Sequence, residues 1–153
     1  QHPDYILKQL QDLKLGMTSG GKEGRMDPVM SAMAMPLSEQ DMKDLAAYFS
    51  SLNMSEGSTP KDVVEVGKML FKAGDAERGI PSCAACHGPR GNGSSLAKFP
   101  KISFQHPEYI KAQLEKFRDG TRNNDLNGMM GDIAKKLTDK DIEVLSQYLG
   151  GLH

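Results

Sequence analysis

The segment QHPDYILKQLQDLKLG (residues 1–16) returns 104 positions later as QHPEYIKAQLEKFRDG (105–120), and LSEQDMKDLAAYFSSL (37–52) returns 100 positions later as LTDKDIEVLSQYLGGL (137–152). A repeat of this kind means that one supersecondary arrangement is written twice, so both copies must suit the same fold. The copies are unequal. Residues 63–104, which precede the second copy, have no counterpart before the first.

The periodicity is helical almost throughout. In the second copy, His106 and Pro107 suit an N-cap and first helical position. Tyr109, Ile110, Leu114 and Phe117 then share one face, and Gly120 is expected to end the helix. The first copy repeats the device with Pro3, Tyr5, Ile6, Leu10 and Leu13, and Gly16 as its expected stop. The next pair of helices opens with a hydroxyl and a carboxylate three residues on, Ser38 with Asp41 and Thr138 with Asp141, a form of the capping box. Their apolar stripes, Leu45, Tyr48 and Phe49 in one and Ile142, Leu145, Tyr148 and Leu149 in the other, are expected to be buried.

NMSEGSTPKD (53–62) is polar, contains Gly and Pro, and reads as a linker. VVEVGKMLFKAGD should follow as an amphipathic helix. The reading is therefore all-α, a tandem repeat with one complete unit and one half unit. Residues 1–54 form the second half of a first unit, 55–62 the linker, and 63–153 the complete unit. The chain opens in mid-unit, on Gln1 and not Met, which predicts an upstream segment.

The formal net charge of −1, from 19 basic and 20 acidic residues, argues against nucleic acid as the main partner, since phosphate binding needs a concentrated basic face. No apolar run approaches the roughly 20 residues that a membrane span requires.

The chemistry concentrates in IPSCAACHGPRGNG. Cys83 and Cys86 are the only cysteines, and a disulfide across so short a gap would close almost no loop. CAACH is C-x-x-C-H, the attachment signature of c-type haem. Two thiols one helical turn apart can add to the two vinyl groups of the porphyrin, and the adjacent His87 is then carried beneath the ring to the iron. A zinc site would need about four such ligands, and no second cysteine pair exists. A thioredoxin-like pair would need strands, and strand patterns are absent. GPRGNG lacks the strand-before, helix-after setting of a phosphate loop and reads as a turn around the ring edge.

The second axial position decides what such an iron does: open, it could bind small molecules; closed by a protein ligand, it transfers electrons. Met129 and Met130 are adjacent candidates. The repeat separates them, because at an offset of 100 Met130 corresponds to Met30 whereas Met129 corresponds to Val29. Met33 and Met35 face Ile133 and Lys135 and are read as packing or neutral residues. A thioether Cu(I) site in MDPVMSAMAM is the weaker alternative. Pro100 offers its carbonyl to the free His87 nitrogen, and Arg118, Arg122 and Lys101 are candidate partners for haem propionates.

CAACHG, FPKI, QHPEYI with its QL and FRDG, MMGDIAKKLTDKDIEVLSQYLGGL and the half-unit VMSAMAMPLSEQDMKDLAAYFSSL together resemble class I cytochromes c, and more narrowly the dihaem cytochrome c4 family. The resemblance implies two cytochrome c domains, with haem c held by Cys83 and Cys86 and ligated by His87 and Met130. It implies Met30 as axial ligand of a second haem whose attachment motif this chain lacks. It further implies a periplasmic electron carrier, soluble or peripherally membrane-associated and not an enzyme. Such a protein would pass electrons from a quinol–cytochrome c reductase type of donor toward a haem–copper terminal oxidase. Two other classes stay open: a peroxidase or gas-binding domain with Met130 unbound, and the cytochrome subunit of a flavoprotein such as a sulfide dehydrogenase.

Overall fold

The computed structural model describes all residues, 1–153. Eight α-helices follow in order: α1 (Pro3–Thr18), α2 (Pro28–Ala34), α3 (Glu39–Ser51), α4 (Lys61–Ala73), α5 (Cys83–His87), α6 (Pro107–Asp119), α7 (Met129–Ala134) and α8 (Asp139–Gly150). Extended structure is limited to two isolated antiparallel bridges, Asp75 with Ile80 and Ser94 with Phe99. The repeat is visible in the packing. α1 packs on α2 and α3; α6, its counterpart, packs on α7 and α8. Only α8 receives a further helix, α4, which also carries α5 against it.

Local chemistry explains the helix starts. Thr138 accepts the Asp141 N–H while Asp141 accepts the Thr138 N–H, and Ser38 and Asp41 do the same at α3, so two orphan donors are satisfied at each end. Pro107 and Pro3 occupy first-turn positions of their helices. His106 and His2 precede them without side-chain caps. Gly120 ends α6 in the left-handed conformation at φ 83°.

Gly16 behaves differently from expectation: α1 runs through it to Thr18. A β-carbon there would lie 2.2 Å from the Arg25 carbonyl oxygen, so this glycine admits the returning chain and does not stop the helix. α4 likewise begins at Lys61, inside the expected linker, and the linker is tied down by a Thr59 hydroxyl that donates to the Tyr148 carbonyl.

The core lies in the second unit, where Leu70, Phe71, Ile80, Ile110, Ile142, Leu145, Tyr148 and Leu149 form one buried cluster. All four residues of the predicted α8 stripe are in it. The equivalent α3 stripe is not buried as expected: Tyr148 is 7% exposed, but Tyr48 is 60% exposed and Phe49 is exposed too. The physical reason is coverage. α4 roofs α8, and no helix in this chain roofs α3, which buries Met42 and Ala46 on its other side. Met33 and Met35 are exposed and so do not pack.

Candidate functional site

α5 is a five-residue helix whose sequence is CAACH itself. It presents two free cysteines, Cys83 half-buried and Cys86 exposed. Burial pushes the Cys83 thiol up to about 11. His87 is buried, and its Nδ1 lies 2.9 Å from the Pro100 carbonyl oxygen. Read as Nδ1–H donating, this bond leaves Nε2 with a free lone pair. Burial also lowers the His87 pKa, against a smaller opposing effect of the Pro100 bond. The imidazole is thus held neutral, the form that a metal requires. Phe99 sits beside it, with ring centroids 6.3 Å apart.

The loop after α5 closes tightly. The Gly93 N–H donates to the His87 carbonyl at 2.7 Å, and Ile102 and Ser103 both donate to the Gly91 carbonyl. This turn brings Pro100 back over the histidine.

Met130 is half-buried and, like Cys83, Ala84 and Ile102, packs against the core cluster. Its backbone is anchored by a residue that sequence reasoning missed: the Asp125 carboxylate accepts from the Met130 N–H at 2.7 Å and the Gly131 N–H at 3.1 Å. Asp27 does the same in the first unit, accepting from Val29 and Met30. An aspartate shortly before each methionine was the available signal. Met30 itself is 46% exposed and has no cysteine segment near it in the chain.

Of the candidate propionate partners, Arg118 is engaged by the Leu137 carbonyl and Asp139. Lys101 lies over the Phe104 ring. Arg122 is buried at the junction of the two units. No three His, Cys, Asp or Glu side chains converge as a metal-ion site, so the zinc alternative has no donor set. Two thiols, a neutral imidazole with one free nitrogen and a thioether make a donor set that fits haem c. No helix is long and apolar enough to cross a membrane.

Residues 64–153 match the Cytochrome c family. Cytochrome c4 of Thiocapsa roseopersicina is 45% identical over 153 residues, spanning 99% of this chain and 76% of that protein. A thiosulfate dehydrogenase electron acceptor of Stutzerimonas stutzeri is 35% identical over 156 residues, spanning 97% of this chain and 66% of that protein. The crystal structure of reduced recombinant cytochrome c4 from Pseudomonas stutzeri superposes with a TM-score of 0.94 at 44% identity, covering 99% of this chain and 82% of that one. The helical fold around CAACH is thus that of a class I c-type cytochrome, an electron-transfer protein with covalently bound haem c. Within that class, the chain belongs to the cytochrome c4 family.

Proposed function

We propose that this chain is a periplasmic electron carrier in which Cys83 and Cys86 hold haem c through thioethers, and His87 and Met130 are its axial ligands. The observation that supports this reading is His87 oriented by the Pro100 carbonyl, with Cys83, Ala84, Ile102 and Met130 each packed against the apolar core. The haem supplies reversible one-electron Fe(III)/Fe(II) exchange. The protein's part is to fix the imidazole tautomer, present a soft thioether and keep water from the site. Thioether ligation favours the reduced state and raises the potential.

Residues 1–54 are read as the second half of a first cytochrome c domain, joined by 55–62 to the complete domain 63–153. Met30 is the proposed ligand of a second haem c, whose attachment motif is not in this chain. Its support is that an aspartate carboxylate holds the backbone N–H of Met30, as another holds that of Met130.

Donor and acceptor are read as redox proteins met transiently, a quinol–cytochrome c reductase type of donor and a haem–copper oxidase type of acceptor. The relative named as a thiosulfate dehydrogenase electron acceptor favours a second reading of the donor, a dehydrogenase of inorganic sulfur compounds. Family membership supports the proposed periplasmic location.

Intact mass and a pyridine haemochrome assay test the attachment. The expected result is haem retained under denaturing conditions in the wild-type chain and lost in Cys83→Ala/Cys86→Ala. A ferric spectrum without a thioether-to-iron charge-transfer band would overturn Met130 as ligand.

A further inference from the structure

Side chains at the start of the first unit hold the loop of the second unit that follows CAACH. The Gln1 amide faces the backbone of Lys101: its Nε2 donates to the Lys101 carbonyl at 2.9 Å, and its Oε1 accepts the Lys101 N–H at 2.9 Å. His2 Nε2 lies 2.7 Å from the Asn92 carbonyl oxygen, and because a carbonyl only accepts, the ring nitrogen is the donor. The Asp4 carboxylate accepts from the Ser95 hydroxyl at 2.8 Å.

Two of these contacts lead to His87. The Lys101 N–H and the Pro100 carbonyl belong to one peptide group. Gln1 holds that group at its N–H, and the same group holds His87 Nδ1 at its oxygen, 2.9 Å away. Asn92 and Gly93 share another peptide group. His2 donates to its carbonyl, and its N–H donates to the His87 carbonyl at 2.7 Å. The histidine is thus gripped at ring and backbone, each time through one peptide group backed by a side chain of the first unit. Chains of hydrogen bonds polarise one another. An acceptor at the Lys101 N–H strengthens the Pro100 carbonyl as an acceptor, and a donor at the Asn92 carbonyl strengthens the Gly93 N–H as a donor.

The repeat supplies an internal comparison. Gln105 and His106 occupy the same repeat positions as Gln1 and His2. Gln105 Oε1 accepts the His106 N–H as Gln1 Oε1 accepts the His2 N–H, so that local bond is common to both units. The clasp of Gln1 on Lys101 is additional to it. We propose that Gln1 and His2 are positioning residues for His87, through which the first unit sets how strongly the second unit's imidazole binds iron. This rests on the haem site proposed above. A firm acceptor at Nδ1–H makes the imidazole a more basic ligand, which favours Fe(III), and loosening that acceptor favours Fe(II).

The test is redox titration of the haem held by Cys83 and Cys86 in the full chain, as wild type, Gln1→Met, His2→Phe and the counterpart variant Gln105→Met. It is paired with NMR of the His87 Nδ1–H and the Gly93 amide in the reduced, diamagnetic protein. Gln1→Met keeps the length of the side chain and removes both atoms of the clasp. It is expected to raise the equilibrium constant for reduction about threefold, or about 28 mV for one electron, and to move the His87 Nδ1–H resonance upfield. His2→Phe should quicken solvent exchange of the Gly93 amide, and it reads the grip on His87 independently should Gln1→Met fail to fold. Gln105→Met should change none of these.

An unchanged or lowered constant with an unmoved Nδ1–H resonance in Gln1→Met, or unaltered Gly93 exchange in His2→Phe, would overturn this inference alone. So would a raised constant with the resonance unmoved, since solvent access to the haem would then be the cause. A shift of equal size in Gln105→Met would also overturn it, because the shared local bond would account for the effect. A wild-type chain without haem would overturn the proposed function together with it.

Discussion

The Cα of Gly67 on α4 lies directly against Tyr148 on α8: a β-carbon at position 67 would come within 2.5 Å of the tyrosine Cβ and 2.7 Å of its Cγ. The crossing of these helices depends on that missing methyl. On an open helix surface, Gly→Ala stabilises by about 1 kcal/mol. Here Gly67→Ala is expected to destabilise by about 2 kcal/mol through overpacking. A denaturant midpoint that rises in the variant would refute the close crossing.

A second tie to α8 is electrostatic. Arg78 donates to Asp141 at 2.6 Å and to Asp75 at 2.6 Å. Burial pushes the Asp141 carboxyl up, but the hydrogen bonds from Arg78 and from the Thr138 hydroxyl and N–H outweigh it and bring it down to about 2 from an ordinary 3.8. A carboxylate depressed on folding contributes stability above its unfolded value that disappears as the pH falls through its folded one. Asp141→Asn should therefore be less stable than wild type at pH 7, by at most about 2 kcal/mol, and the gap should close between about pH 4 and pH 2. Thermal unfolding across that range checks it; a gap independent of pH would count against the ion pair.

The cap at the start of α8 is separable from that pair. Thr138→Ala removes the acceptor for the Asp141 N–H and should lower stability by about 1 kcal/mol, while Thr138→Ser should retain most of it. Chemical denaturation of the three proteins at neutral pH distinguishes them, and equal losses for Ala and Ser would exclude capping as the cause.

Asp125 should matter to the iron without touching it. Asp125→Ala frees the Met130 and Gly131 N–H groups and so loosens the backbone that carries the proposed ligand. The expected outcome is haem content equal to wild type with a weakened thioether-to-iron charge-transfer band in the ferric spectrum. An unchanged band at room temperature and on warming would mean that packing alone holds Met130.

What could be read from the sequence was what depends on near neighbours. CAACH declares its chemistry within five residues, and the capping boxes at Ser38 and Thr138 within four. Pro100 was legible as the histidine's partner because the loop between them is short. The errors came from contacts between distant segments. Gly16 was read as a stop because nothing local shows that the Arg25 carbonyl will press against it. Tyr48 and Phe49 were assigned to a core because their pattern matches Tyr148 and Leu149, although burial depends on a covering helix and not on the stripe alone. The Arg25–Gln113 bond spans 88 positions. Arginine and glutamine look like ordinary solvated residues until the two units are brought together.

The uneven roofing of α3 and α8 makes the chain its own control experiment. The two helices carry the same capping box and a tyrosine at the same repeat position, but α4 lies over only one of them. Amide hydrogen exchange at corresponding sites then compares two helices with matching start signals, one sheltered and one unsheltered, inside a single molecule and a single tube. The protection gained by α8 over α3 reports what tertiary cover adds to a helix whose local start signals are already in place.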